Sequence, residues 1–242
     1  FGNSKFIPSA IAPVNSTAFG TAKWVIAGYG LSNGEGVGFI LLDNNFTPLS
    51  NNLQLFNPAT SEFGTAYTAD VVEVNGAIYA IGEKINNSTK GWLMKLSPGA
   101  LPGALLNIWS RLLDTPDDLN FIIQTDRPRD LEAKNDTLAI VGFSYTDNSG
   151  LNFKPWLAIL DNNGNLLKSK SLANSNNPFG VAQKVINLPN LGYLLAGQGW
   201  ANLGQVGGTQ NFVARCDKNG VIGNCACGQD MVLNVTPATS TP

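Results

Sequence analysis

Four stretches of the chain repeat one another at intervals of about 55 residues. Each opens with an apolar strand that closes on glycine: Val25-Ile-Ala-Gly28, Tyr79-Ala-Ile-Gly82, Leu138-Ala-Ile-Val-Gly142 and Tyr193-Leu-Leu-Ala-Gly197. After a polar loop each continues into a second apolar run that stops at a turn: Phe39-Ile-Leu-Leu-Asp43, Trp92-Leu-Met-Lys-Leu-Ser97, Trp156-Leu-Ala-Ile-Leu-Asp161 and Phe212-Val-Ala-Arg-Cys-Asp217. A fixed period of this size, built from short strands, points to a propeller or a related array of β-sheets.

Each unit extends on both sides of this core. Thr68-Ala-Asp-Val-Val-Glu-Val74 leads through Asn75-Gly76 into Ala77-Ile-Tyr-Ala-Ile-Gly82, and Asn-Gly supplies the positive φ values of a type I′ hairpin turn. Val181 to Asn187 and Leu131 to Ala133 precede their glycine strands in the same way. Leu53-Gln-Leu-Phe56, Leu105 to Trp109 and Leu166 to Leu172 alternate in hydropathy and read as outer strands, whereas the near-continuous apolar runs read as strands buried on both faces. The expected fold is therefore all-β, a propeller of four blades with four antiparallel strands each, over residues 1–230. The aromatic openings Trp92, Trp156 and Phe212 are expected to wedge between blades, with Gly38 in that register in the first unit. Lys5-Phe-Ile7 and Met231-Val-Leu-Asn-Val235 are left as spare strands that close the ring or pair with a neighbour, and residues 231–242 form a terminal strand with a Thr/Pro-rich tail.

The glycine strand, exposed loop and aromatic strand ending in Leu-Asp-x-x-Gly resemble the repeats of secreted bacterial β-propeller proteins with a Kelch-like blade layout. Residues 191–222 carry the resemblance best, and weaker copies cover most of the chain. The resemblance implies a scaffold shared by binding modules, matrix proteins and some enzymes, and it carries over no catalytic residue.

Charged residues make up 13% of the chain and nearly balance at a net charge of −2, which gives no footprint for nucleic acid or an anionic membrane. No run reaches the roughly 18 apolar residues that insertion into a bilayer requires. The tail Val-Thr-Pro-Ala-Thr-Ser-Thr-Pro after Asn234 has the composition of extracellular stalks, so the expected location is extracellular or at the cell surface. In that setting Cys216 is expected to be oxidised, preferably to Cys225, with Cys227 left for another chain. Six Asn-x-Ser/Thr sites, at Asn15, Asn45, Asn86, Asn87, Asn135 and Asn234, are candidate glycosylation positions that also arise by chance in a chain so rich in these residues.

The chain has no histidine, which removes Ser-His-Asp and Cys-His nucleophilic sites and the usual zinc enzymes. Asp117, Asp118, Asp126, Asp130 and Glu132 gather near Arg111, Arg127 and Arg129; such a cluster could serve a glycosidase or lyase, or be a salt-bridged loop. Asp161-Asn-Asn-Gly-Asn165 resembles a calcium loop but lacks the downstream glutamate, and no metal or other cofactor is expected. Trp24, Tyr29, Tyr145 and Trp200 near the ends of glycine strands are candidates for stacking on a glycan. The leading expectation is a non-enzymatic structural or interaction module that forms a homo-oligomer or polymer through terminal strand exchange. A carbohydrate- or peptide-binding propeller is the alternative.

Overall fold

The computed structural model describes residues 5–31, 36–50, 53–56, 65–85, 89–114, 126–134, 136–145, 153–172, 179–201, 208–222, 229–230 and 234–238. They form two compact units, one of Phe1–Asn86, Gly91–Leu112 and Thr236–Pro242, the other of Asn87–Lys90 and Leu113–Val235. Apart from one 3-10 turn at Thr17–Phe19, the described regular structure is all strand.

The first unit holds two sheets. β1 (Lys5–Pro13), β2 (Trp24–Leu31), β3 (Gly36–Leu42) and β4 (Gln54–Phe56) pair in chain order, as do β5 (Thr65–Val74), β6 (Ala77–Ile85), β7 (Thr89–Pro98) and β8 (Leu105–Asp114). The second unit repeats the plan with β9 (Asp126–Lys134), β10 (Thr137–Tyr145), β11 (Phe153–Asp161) and β12 (Leu166–Ser171), then β13 (Phe179–Leu188), β14 (Gly192–Ala201) and β15 (Gly208–Cys216). Ile26, Ile81, Ile140 and Leu195 all fall on the second strand of their sheet, as the repeat requires. Asn75 and Gly76 have φ of 52° and 78°, the left-handed pair expected of their turn.

Strand counts depart from four per sheet. The chain's end adds β16 (Gln229–Asp230) outside β12 and β17 (Asn234–Ala238) outside β8, giving two five-stranded sheets, while the fourth sheet has three strands among the described residues. Lys5-Phe-Ile7 is not a spare strand either; it opens the nine-residue β1, which pairs with β2 along its length. Of the predicted terminal strand, Met231 to Leu233 lie outside the described residues, and Asn234-Val235 begin β17.

The repeated glycines have a geometric cause. In every sheet the first strand slips by one residue, at Ser9, Ala69, Arg129 and Gln183, and the glycine of the second strand sits beside that bulge, opposite Pro8, Thr68, Pro128 and Ala182. A side chain on Gly28, Gly82, Gly142 or Gly197 would run into the carbonyl oxygen of Ile7, Tyr67, Arg127 or Val181 respectively. The third-strand aromatic covers the same glycine from the other side: an added Cβ would lie 2.5 Å from Trp92 Cζ2 at Gly82, 2.6 Å from Trp156 Cζ2 at Gly142 and 2.7 Å from Phe212 Cε1 at Gly197. These rings therefore lie across the glycine of their own sheet. In the first sheet Gly28 faces Gly38, and the rings and methyls near Gly38 come from Phe6 and Leu53 instead.

Each unit joins its two sheets by the same pair of faces. Residues one and three before the glycine form a forward face that packs on the next sheet: Val25 and Ala27 in the first sheet, Ala139 and Val141 in the third. The following sheet answers with a rear face carrying residues two and four before its own glycine, Ile78 and Ala80 or Tyr193 and Leu195. Polar ties fix the junctions. Thr68 Oγ1 donates to Gly28 O at 3.1 Å in the first unit, and the Val185 amide donates to Asp130 Oδ2 at 2.7 Å in the second.

Candidate functional site

The aromatic candidates do not share one surface. Trp24 begins β2 and Tyr29 lies near its other end, and an odd separation along a strand also puts them on opposite faces. Trp24 stacks on Phe46, with ring centroids 5.5 Å apart, and Tyr29 meets Tyr67 edge-on at 4.7 Å. Tyr145 and Trp200 do occupy equivalent places, three residues after Gly142 and Gly197, next to connections that lie outside the described residues. Trp24 thus begins its glycine strand, whereas Tyr29, Tyr145 and Trp200 lie toward the ends of theirs.

The carboxylates are each engaged in holding the second unit together. Asp126 is buried and accepts a hydrogen bond from the Ser144 hydroxyl. Asp130, 3% exposed, accepts from Lys184 Nζ and from the Val185 amide. Burial pushes the Glu132 carboxyl above the ordinary range, opposed by a backbone hydrogen bond from Asn187 and reinforced by the nearby Asp130 charge. Arg129 lies over the Phe143 ring at 5.1 Å and Arg111 over Trp109 at 4.9 Å. Asp117 and Asp118 fall outside the described residues. What the sequence grouped by proximity along β9 is distributed in space over separate structural contacts.

Among the described residues, no group of three His, Cys, Asp or Glu side chains is placed to hold a metal ion. The apparent calcium loop explains itself locally: Asp161 Oδ1 accepts the amides of Asn163 and Asn165 at 2.9 and 2.8 Å. Asp43 and Asp217 do the same for Asn45 and Thr47, and for Asn219 and Val221. Those bonds, the Val221 amide foremost, hold the Asp217 carboxyl below its usual range. A carboxylate aimed at its own loop is a turn device, repeated where β3, β11 and β15 end.

Residues the sequence did not single out form the polar concavity of the second unit, a cleft of about 470 Å³. It is lined by Thr137, Lys168, Asn187, Asn190, Tyr193 and Asn219 among others, with Lys168 Nζ donating to Asn219 Oδ1 at 2.5 Å. The recurrence of Asn beside the hairpin turns was the available signal. The first unit carries an apolar groove of about 330 Å³ between Phe19, Leu41, Leu49 and the loop from Pro98 to Ala104.

Cys216 corrects the disulfide expectation: it is a free thiol, 1% exposed, in the core under Tyr193 and Leu195. Its place at the end of β15, opposite Tyr193, turns the sulfur inward. Cys225 and Cys227 lie outside the described residues. Burial pushes the thiol up to about 11 and also raises Tyr193. Both groups then favour the neutral form when folded, so stability is retained below about pH 9 and falls as the unfolded chain ionises between about pH 9 and 11. We expect Cys216→Ala to lessen this fall by on the order of 1 kcal/mol with allowance for solvent, the Tyr193 share remaining. Denaturant unfolding of both proteins from pH 7 to 11 measures it, and parallel curves would contradict the assignment.

Of the glycosylation candidates, Asn15 is exposed between β1 and the 3-10 turn, Asn45 is exposed in a turn, Asn234 begins β17, and Asn86, Asn87 and Asn135 lie outside the described residues. No helix among the described residues is long and apolar enough to cross a membrane. No protein-family model matches the chain, and no curated protein shows significant similarity to it.

Proposed function

We propose that this chain is a non-enzymatic, extracellular structural or interaction module of four-bladed propeller layout that self-associates into a filament or matrix by exchanging its terminal strands. The observation that carries the reading is the state of the outer sheet edges. β16 and β17 cover β12 and β8, whereas β15 has no strand beyond it among the described residues. Backbone pairing at an edge is equally available to a segment from a neighbouring molecule, so the same contacts can be exchanged between chains. The four consecutive meanders support the propeller layout, and the structural engagement of Asp126, Asp130 and Glu132 supports a non-catalytic role. The Thr/Pro-rich tail supports an extracellular setting.

Deleting residues 229–242 is expected to abolish polymers seen by light scattering and negative-stain microscopy, or to lower the melting temperature by several degrees. If assembly state and melting temperature both survive the deletion, strand exchange is rejected. The polar cleft of the second unit favours glycan binding as a second reading, because amide and ammonium groups around Tyr193 suit a hydroxyl-rich ligand. Lys168→Ala with Asn219→Ala should then weaken retention on a glycan array.

A further inference from the structure

Every described residue that lines the polar cleft of about 470 Å³ belongs to the second unit, so the third and fourth sheets build it between them. Its size falls within the roughly 300–1,000 Å³ of small-ligand sites. The turn after β15 forms one wall. An added Cβ on Gly220, at a φ of 78°, would stand 3.0 Å from Lys170 Cγ on β12 and 3.3 Å from Leu157 Cδ2 on β11, so only a bare glycine lets the turn seat this closely. Lys218 and Asn219 are thereby carried to Lys168 on β12, whose ammonium donates to Asn219 Oδ1 at 2.5 Å.

The charges of the cleft are one-sided. An ammonium has three N–H groups, so Lys168 keeps donors beyond its bond to Asn219, and the exposed Lys218 adds a second ammonium. No Asp or Glu stands among the described lining residues. Asp217 is close enough to feel the Lys168 charge, but its Oδ1 accepts the Asn219 and Val221 amides and its Oδ2 the Asn219 side-chain amide at 3.4 Å. Glu132, which accepts the Asn187 backbone amide, has Lys134 and Lys184 near it. The neutral groups are directional as well. Tyr193, 4% exposed, shares a hydrogen bond with Thr137, whose Oγ1 donates to Lys134 O at 3.1 Å. With the Thr137 proton spent on that carbonyl, the Tyr193 hydroxyl donates to Thr137 and has only acceptor capacity left for a ligand.

We infer that this cleft takes an acidic saccharide, a sugar of the uronic-acid type, with Lys168 and Lys218 on its carboxylate and the Tyr193 oxygen and the Asn187 and Asn190 amides on its hydroxyls. Two ammonium groups without a lining carboxylate ask for an anion, and charge-assisted hydrogen bonds to a carboxylate are the stronger ones. An acceptor and several amides around them ask for a ligand that also donates, as a hydroxyl does and a bare anion does not. The inference rests on the reading of the cleft as a glycan site and adds the charge that the glycan must carry.

The test titrates the full-length chain by calorimetry with an α-1,4-linked galacturonic acid trisaccharide, with its neutral carboxyl-reduced counterpart and with triglutamate. At low salt the acidic trisaccharide should bind at least about tenfold more tightly than either of the others, and its advantage should shrink as salt rises from about 0.02 to about 0.5 M. In the double variant Lys168→Gln with Lys218→Gln, both positions being exposed, melting curves should match the parent and the ratio of acidic to neutral affinity should fall to near one. Equal binding of the two trisaccharides keeps the glycan reading and overturns this inference. Triglutamate bound as tightly as the acidic trisaccharide shows charge recognition without a sugar and overturns it too, and binding of neither trisaccharide overturns both readings. A preference for the acid that survives high salt or the double variant removes the lysines from the argument and rejects the inference.

Discussion

Gly142→Ala is expected to destabilise the protein by about 3 kcal/mol or more, a large effect for one methyl group. The new carbon would press on the Arg127 carbonyl, which is fixed in the β9–β10 ladder, and would stand 2.6 Å from Trp156 Cζ2. Neither neighbour is the loose end of a flexible chain. Trp156→Ala should cost about 3–5 kcal/mol, because it removes a fully buried indole and uncovers the backbone at Gly142. The double variant should fall short of the sum by about 1 kcal/mol, since one of the two clashes disappears with the ring while the carbonyl clash remains. Urea unfolding of the three variants measures the cycle. Strict additivity would mean that ring and glycine do not form a unit.

Asp130→Ala is the second large effect, expected at about 2–3 kcal/mol. The loss has an unequal origin. Val185 is buried, and its amide would keep no acceptor, whereas Lys184 is exposed and its ammonium would return to water. Lys184→Ala should therefore cost less than about 1 kcal/mol, and Asp130→Asn, which retains an acceptor, should fall between. Equal losses from Asp130→Ala and Lys184→Ala in urea unfolding would show that the charge pair, and not the amide bond, governs this junction.

The order of strands was legible because hydropathy and turn chemistry agree along the repeat. Near-continuous apolar runs marked the two central strands of each sheet, and Asn75-Gly76 marked a hairpin that has the required backbone. The bulge beside each glycine was not legible, since it arises from backbone registration and leaves four unrelated residues, Ser9, Ala69, Arg129 and Gln183, at the extra position. The destinations of the terminal strands escaped for a similar reason. Pairing at an outer edge is made by backbone groups, which carry no side-chain code, and Pro237 in β17 read as linker although an edge strand tolerates proline. The candidate site was the least legible part. Asp126, Asp130 and Glu132 are close in sequence, but a bulge and alternation along β9 send them to different partners. Cys216 looked like half of a disulfide because sequence shows spacing and not the direction in which a strand end points.

The placement of β16 and β17 also has a temporal side. Each meander pairs neighbouring segments, so its contacts are local and can form as the chain leaves the ribosome. The strands that cover β8 and β12 follow β15 in the chain, after all four meanders are already synthesised. Until then both edges present open hydrogen-bonding groups beside other nascent chains, so under the proposed strand exchange the length of that interval, set by translation rate, would decide whether a molecule completes its own edges or is completed by a neighbour.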